Sequence, residues 1–186
     1  MIYINERILT LSANIILRKV LPEEINSGFL TGFIRHQETK KVKYWNQGRL
    51  EEKDDYFVEE WDEHRLRGIS SFLKEVAYIG SVVAAFDNDK VVGFACVDNE
   101  VFFGEYVNMP YIHVSYGYRD QGIGKELFKM IEKEAKELGA KKLYISTHPD
   151  INTYEFYEKM GCIPAKRINR RLFDIEPLDI QMEKLL

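Results

Sequence analysis

Two short stretches of this chain carry residue types that do chemistry. The first is Arg119-Asp120-Gln121-Gly122-Ile123-Gly124-Lys125, a loop with two closely spaced glycines that runs straight into an amphipathic stretch reaching Leu138. No Ser or Thr caps that stretch, so its first backbone N–H groups have no partners. A helix start of that kind holds a phosphate or pyrophosphate through its pointed donors and partial positive charge. Glycine at 122 and 124 permits unusual φ and close approach of an anion. Arg119 adds a cation, whose alternative use is to pair with a surface acid. The second stretch is Phe156-Tyr157-Glu158-Lys159-Met160-Gly161-Cys162. A phenol of pKa near ~10 is protonated at neutral pH and donates a proton well, although Tyr157 could equally pack beside Phe156 and Met160.

Two familiar glycine motifs do not fit the first stretch. A P-loop continues Gly-Lys with Ser or Thr, and here Glu126 follows Lys125, so the magnesium-binding hydroxyl is missing. A dinucleotide fingerprint requires a third glycine where Leu127 stands, and it follows the first strand of a chain rather than a late one.

The elements that must position these residues are legible in outline. Residues 1–20 read as strand, and Pro22-Glu23-Glu24 opens a predicted helix through Ile25, Phe29, Leu30, Phe33 and Ile34, weakened by Gly28 and Gly32. Residues 36–62 are polar and aromatic with no clear period, and read as a lid over a ligand or an irregular surface connection. A helix is predicted over 62–76, with Leu66, Ile69, Leu73 and Val76 on one face. A hairpin over 81–97 turns at Asp87-Asn88-Asp89, and a strand covers much of 101–114 with an interruption at Pro110. Then come the helix from Gly122 to Leu138 closed by Gly139, a strand over 142–146, a helix over 152–160, and strands near 163–168 and 180–185. Strands alternating with helices, with hairpins among them, predict an α/β or α+β mixed sheet.

At 186 residues, 45% hydrophobic and 30% charged, the chain suits one well-buried domain. A net charge of −4, with basic residues interspersed among acids, gives no pull toward nucleic acid or an anionic membrane. No apolar run approaches the roughly 20 residues of a membrane span, and the N-terminus has no signal-peptide pattern, so a cytoplasmic protein is expected. Cys96 and Cys162 lack metal-ligand spacing and read as buried free thiols, and no metal is expected.

Arg119-x-x-Gly122-x-Gly124, preceded by the strand Ile112-His113-Val114 and followed by an amphipathic helix, resembles the coenzyme A pyrophosphate loop of the GNAT acetyltransferase family. The stretch around Tyr157 resembles that family's second signature, most strongly within residues 91–164. The resemblance implies one acetyltransferase domain over residues 1–186, with a mostly antiparallel twisted sheet of about six or seven strands flanked by about four helices. It implies acetyl-CoA as co-substrate, transfer to a primary amine by direct attack in a ternary complex, and Tyr157 as donor to the leaving thiolate. Main-chain groups of Ile112 and Val114 would face the pantetheine arm and thioester carbonyl, and residues Arg119, Asp120, Gln121, Gly122, Ile123, Gly124 and Lys125 the pyrophosphate. Glu105, His113 and His148 are candidates to take the amine proton, as is a chain of waters. The family's asparagine seven residues before the tyrosine is replaced by Asp150. Asn152 is then either a cofactor contact or a helix cap. A non-catalytic acyl-CoA-binding module on the same fold is the alternative. The acceptor, whether antibiotic, polyamine, amino acid or peptide end, and formation of a homodimer stay open.

Overall fold

The computed structural model describes residues 9–11 and 14–186. A five-stranded antiparallel sheet runs in the order β1 (Leu9–Thr10), β2 (Ile15–Val20), β5 (Ser81–Asp87), β6 (Lys90–Val97) and β8 (Tyr111–Val114). A second sheet of four strands has the order β10 (Ile163–Pro164), β11 (Ile180–Leu185), β9 (Lys142–Thr147) and β7 (Tyr106–Asn108), with only β7 and β9 parallel. A ribbon of β3 (His36–Asn46) and β4 (Arg49–Glu60) stands apart. Helices α1 (Glu63–Ile79), α2 (Ile123–Glu137), α3 (Ile151–Lys159) and the short α4 (Arg170–Phe173) complete the chain. The expected mixed, mostly antiparallel architecture with four helices is therefore present. No described helix is long and apolar enough to cross a membrane.

The core has two layers that share the sheet. Val91, Phe94 and Cys96 of β6 face α1, where Leu66, Ile69, Leu73 and Val76 form the buried stripe. Val92, Ala95 and Val97 face the opposite way, onto Ile123, Leu127, Phe128 and Ile131 of α2. A strand covered on both faces reads as the continuous apolar run seen here, and α1 follows from its 3.6-residue spacing and an Asp62 cap on the Arg65 N–H at 2.7 Å. Both cysteines are buried and free.

Gly93 is the tight point of this packing. A Cβ placed there would lie 3.0 Å from both Ile123 Cγ2 and Leu127 Cδ1. Those side chains are themselves buried and have nowhere to retreat. Hydrogen at this position lets the first turn of α2 rest directly on β6, opposite Val114 in the β6–β8 register.

Four expectations are corrected. The predicted helix after Pro22 is only a 3-10 turn over Pro22–Glu24, followed by successive i→i+3 turns through Phe33. Asn26 Oδ1 takes the Gly28 N–H, and Gly32 adopts φ 75°, so side-chain competition and glycine break the helix while Ile25, Leu30 and Phe33 stay buried. Residues 36–60 are neither irregular nor structureless. They form the β3–β4 hairpin, whose turn places Gln47 at φ 48° and Gly48 at φ 79°. The strand expected over much of 101–114 is interrupted near Pro110 as expected, but its two parts join different sheets: Met109 N–H still bonds Tyr144 of β9, Pro110 has no N–H to continue, and the chain then pairs with β6 instead. The strand near 163–168 is confined to Ile163–Pro164. Strand character expected over 1–20 is met at β1 and β2, and residues 1–8, 12 and 13 lie outside the described part.

Gly93→Ala is expected to destabilise the protein by about 1–3 kcal/mol through overpacking, read as a lower denaturant midpoint at unchanged slope.

Candidate functional site

The division at Pro110 opens a cleft between β8 and β9. Ser115 N–H bonds Val92 O, which makes Ser115 and, two and four residues earlier, His113 and Tyr111 the members of β8 that hydrogen-bond to β6. The main-chain groups of Ile112 and Val114 therefore point away from β6, into the cleft. Their side chains pack against the α2 face of the core.

Beyond Val114 the chain makes a 3-10 turn over Tyr116–Tyr118 and reaches α2 through Asp120 at φ 61° and Gly122 at φ 81°. No side chain caps α2, and its first hydrogen bond is Glu126 N–H to Gly122 O at 3.1 Å. The N–H groups of Ile123, Gly124 and Lys125 thus have no acceptor among the described residues. The two glycines serve different ends. Gly122 is required by its left-handed backbone. Gly124 is not required by the fold, since a Cβ there would make ordinary contacts with Phe156 at 3.5 Å and Val114 at 3.7 Å. Arg119 folds back, its Nε donating to Val114 O at 3.3 Å, with its guanidinium 5.5 Å from the Tyr116 ring. It braces the loop against the strand end instead of pairing a surface acid. Asp120 and Gln121 complete the loop, with Gln121 Nε2 reaching Gly117 O at 3.5 Å.

Tyr157 projects from α3 beside Phe128 and Phe156, with centroids 6.1 and 5.2 Å away. Its hydroxyl has no hydrogen-bond partner among the described residues. Burial, reinforced by the nearby Cys162 and Asp179, raises its pKa far above that of a free phenol, so it holds its proton. α3 is capped by Asp150, whose Oδ1 accepts from Asn152 N–H at 3.0 Å and Thr153 N–H at 3.1 Å. Asn152 is therefore not the cap, and its side chain stands exposed.

The three candidate bases are all engaged. Glu105 lies at the start of β7, 3.1 Å from Lys142 Nζ, at the far end of β9 from the cleft. Five residues of strand separate Lys142 from Thr147, about 16 Å. His113 is packed among Trp61, Phe94 and Tyr111, and burial with the charges of Arg35 and Arg119 holds its imidazole well below the usual value. His148 accepts from Asp150 N–H at Nδ1, 3.1 Å, which puts its proton on Nε2, 3.1 Å from Glu59 Oε2. Neither ring nitrogen is left to accept another proton.

Residues from the ribbon complete the cleft, and sequence reasoning missed them. Lys43 N–H bonds Pro149 O, and Val42 bridges to Asp150, so β3 is anchored at the end of β9 and β4 brings Glu59 over His148. Hydrogen bonding to His148 keeps the Glu59 carboxyl below its usual range, with help from the charges of Arg35 and Arg65. Arg35 is buried, with Nη2 3.5 Å from Glu59 Oε2; burial and Arg119 bring its pKa down to about 10, so it remains charged. Arg35 Nε, Thr39 Oγ1 and Asp150 Oδ2 are buried polar atoms without partners among the described residues. All three belong to the ribbon's base or the end of β9, where a ligand would supply the missing hydrogen bonds. No local pattern announces Glu59 or Arg35, because the hairpin and the cross-chain register create their neighbourhood. A more open groove of about 450 Å³ over Arg18, Phe29 and Phe86 lies near the β2 edge of the sheet and holds none of this chemistry.

Residues 39–162 match the family model described as Acetyltransferase (GNAT) family. No curated protein matches the sequence. Among solved structures, the fold is similar to that of nourseothricin acetyltransferase, at a TM-score of 0.68 and 16% identity over 93% of this chain and 99% of that one. It is similar also to a protein assigned as a streptothricin acetyltransferase from Bacillus anthracis strain Ames, solved with acetyl coenzyme A. There the TM-score is 0.65, with 14% identity over 92% of this chain and 97% of the other. An aminoglycoside 6'-N-acetyltransferase solved with coenzyme A follows at 0.53 and 20% identity, covering 64% and 79%.

The two glycines separate cleanly in a stability measurement. Gly122→Ala is expected to cost about 1–2 kcal/mol because it forces a left-handed alanine. Gly124→Ala, at an ordinary helical φ, is expected to stabilise by about 0.5–1 kcal/mol. Denaturant unfolding of the two variants checks both signs.

Proposed function

The chain belongs to the acetyltransferase (GNAT) family, and from that premise we propose that it transfers an acetyl group from acetyl-CoA to a primary amine of a small molecule or peptide. The transfer is by direct attack with both substrates bound, and the whole chain works as one domain. The observation that carries this reading is the meeting of two sets of main-chain groups, unpartnered but for the Val114 carbonyl that Arg119 Nε holds. Ile112 and Val114 turn theirs into the cleft, and Ile123, Gly124 and Lys125 present N–H groups at its end.

These groups fit the two polar parts of coenzyme A. The helix start suits a pyrophosphate, with Gly124 leaving room for it and Arg119 adding charge. The edge of β8 suits an extended arm with amides, which lies along a strand as an added strand would. Acetyl-CoA supplies the activated acyl group. The Val114 N–H is placed to donate to a carbonyl oxygen in the cleft, and such a donor is worth most where negative charge develops. Tyr157, held protonated, gives a proton to the departing sulfur. Its neighbour Phe156 lies against Gly124, which keeps the donor on the side of the helix start.

Two variants test these assignments. Gly124→Leu is expected to weaken acetyl-CoA binding about a hundredfold, roughly 2.7 kcal/mol, with the melting temperature little changed. Undiminished binding by calorimetry would overturn the loop's role. Tyr157→Phe is expected to lower kcat about a hundredfold in a thiol-release assay over an amine panel, with acetyl-CoA affinity retained. Binding of acetyl-CoA without turnover of any amine would favour a non-catalytic binding module instead.

A further inference from the structure

A second pocket lies on the face of β9 and β11 that looks away from α2 and α3. Trp45 at the tip of the β3–β4 ribbon, Ala165, Ile168 and Phe173 form its walls, and Gln181 and Asp179 its polar end, enclosing about 320 Å³. Register fixes what Asp179 faces. Ile180 pairs with Thr147 in antiparallel β9–β11, so Asp179, one residue earlier, stands across from His148, one residue later. Gln181 and Ser146 share that face, joined by a hydrogen bond of 2.7 Å. The Asp179 carboxylate is half-buried and has no hydrogen bond or ion pair with any described residue.

We propose that this pocket receives the acceptor, a primary amine carried on an apolar body, and that Asp179 takes the proton its ammonium must lose. The assignment rests on the acetyl-transfer reading above. A carboxylate without a partner at the end of an apolar pocket is complementary to an organic cation, whose body then covers Trp45, Ile168 and Phe173. An indole wall strengthens the preference, since an aromatic or aliphatic body packs on its face. Exposed Arg170, which also lines the pocket, makes it less hospitable to amines with several charges.

The chemistry leaves this role to Asp179. His148 uses both ring nitrogens, His113 is held neutral by its surroundings, and Glu105 is remote. Burial pushes the Asp179 carboxyl up to about 7, with Glu176 and Glu59 adding to the shift. The titratable groups near it are thus His148 just past β9, Glu59 from β4, Tyr157 from α3 and Glu176 from the preceding turn, with the charged Arg170 along the pocket. A carboxylate near 7 is a far better base than an ordinary aspartate. In the reaction the ammonium yields one proton to Asp179, and the nitrogen lone pair forms the C–N bond. The C–S bond breaks, the sulfur takes the Tyr157 proton, and the second proton of the nitrogen restores Tyr157 through solvent.

The test is steady-state kinetics from pH 5.5 to 9 on wild type, Asp179→Asn and Trp45→Ala, with phenylethylamine and spermidine as acceptors and acetyl-CoA affinity measured in parallel. Phenylethylamine is expected to be the better substrate by about tenfold or more in kcat/KM. Its rate should rise with pH through about 7, as Asp179 ionises. Asp179→Asn should lower kcat about a hundredfold and remove that limb. Trp45→Ala should raise the KM for the amine about tenfold, and acetyl-CoA affinity should be unchanged in both. Turnover with an unaltered pH profile in Asp179→Asn, an unaltered amine KM in Trp45→Ala, or preference for spermidine would overturn the pocket's assignment and leave acetyl transfer standing. Absence of turnover by the wild type with both amines would overturn the assignment outright, and thiol release with any other amine would show that acetyl transfer survives it.

Discussion

The seating of α2 on β6 at Gly93 is the contact on which the cleft depends. With no side chain at 93, Ile123 and Leu127 approach the sheet directly, and the uncapped start of the helix comes to rest beside the end of β8. A helix a methyl group further out would still bury its apolar stripe. Its three free N–H groups would no longer lie in line with the exposed edge of Ile112 and Val114. The close approach is thus a packing feature with a chemical result, since it joins an anion-binding helix start to a strand edge that accepts an extended chain.

A second constraint is the missing donor at Pro110. Met109 is the last residue of its segment to bond β9, and Tyr111 onward belongs to β6. The two sheets part there, and the gap exposes main-chain groups that a continuous sheet would have consumed. Closing such an edge would stabilise the fold and abolish the site. The same tension is seen in Arg35 Nε, Thr39 Oγ1 and Asp150 Oδ2, buried without partners around the cleft. Each such group costs about 1–3 kcal/mol relative to a satisfied one, which is the kind of cost proteins carry where a ligand is to bind.

The sequence makes the donor side of the site legible and hides the acceptor side, for a physical reason. Gly122, Gly124 and Arg119 lie within six residues, and the period of α2 and the punctuation of Pro110 are local properties of the chain. The α1 stripe, the β5–β6 hairpin and the α2 boundaries are local in the same way, and the structure has them where periodicity places them. Glu59, Arg35 and Asp179 acquire their meaning only from pairing between segments far apart in sequence. The ribbon that delivers Glu59 was obscured because most of β4 is exposed and charged, so no alternation of apolar residues marks it. The helix expected after Pro22 failed on local features, Asn26 competing with the backbone and Gly32 in the left-handed region, that apolar spacing cannot register.

The central claim is that the start of α2 and the outer edge of β8 together hold acetyl-CoA. Backbone amide NMR of the protein titrated with acetyl-CoA tests it most directly. The account predicts that the resonances of Ile123, Gly124 and Lys125 and those of Ile112 and Val114 move together along one binding curve. Saturable shifts that leave both groups unmoved, or movement at the helix start without any along β8, would contradict it.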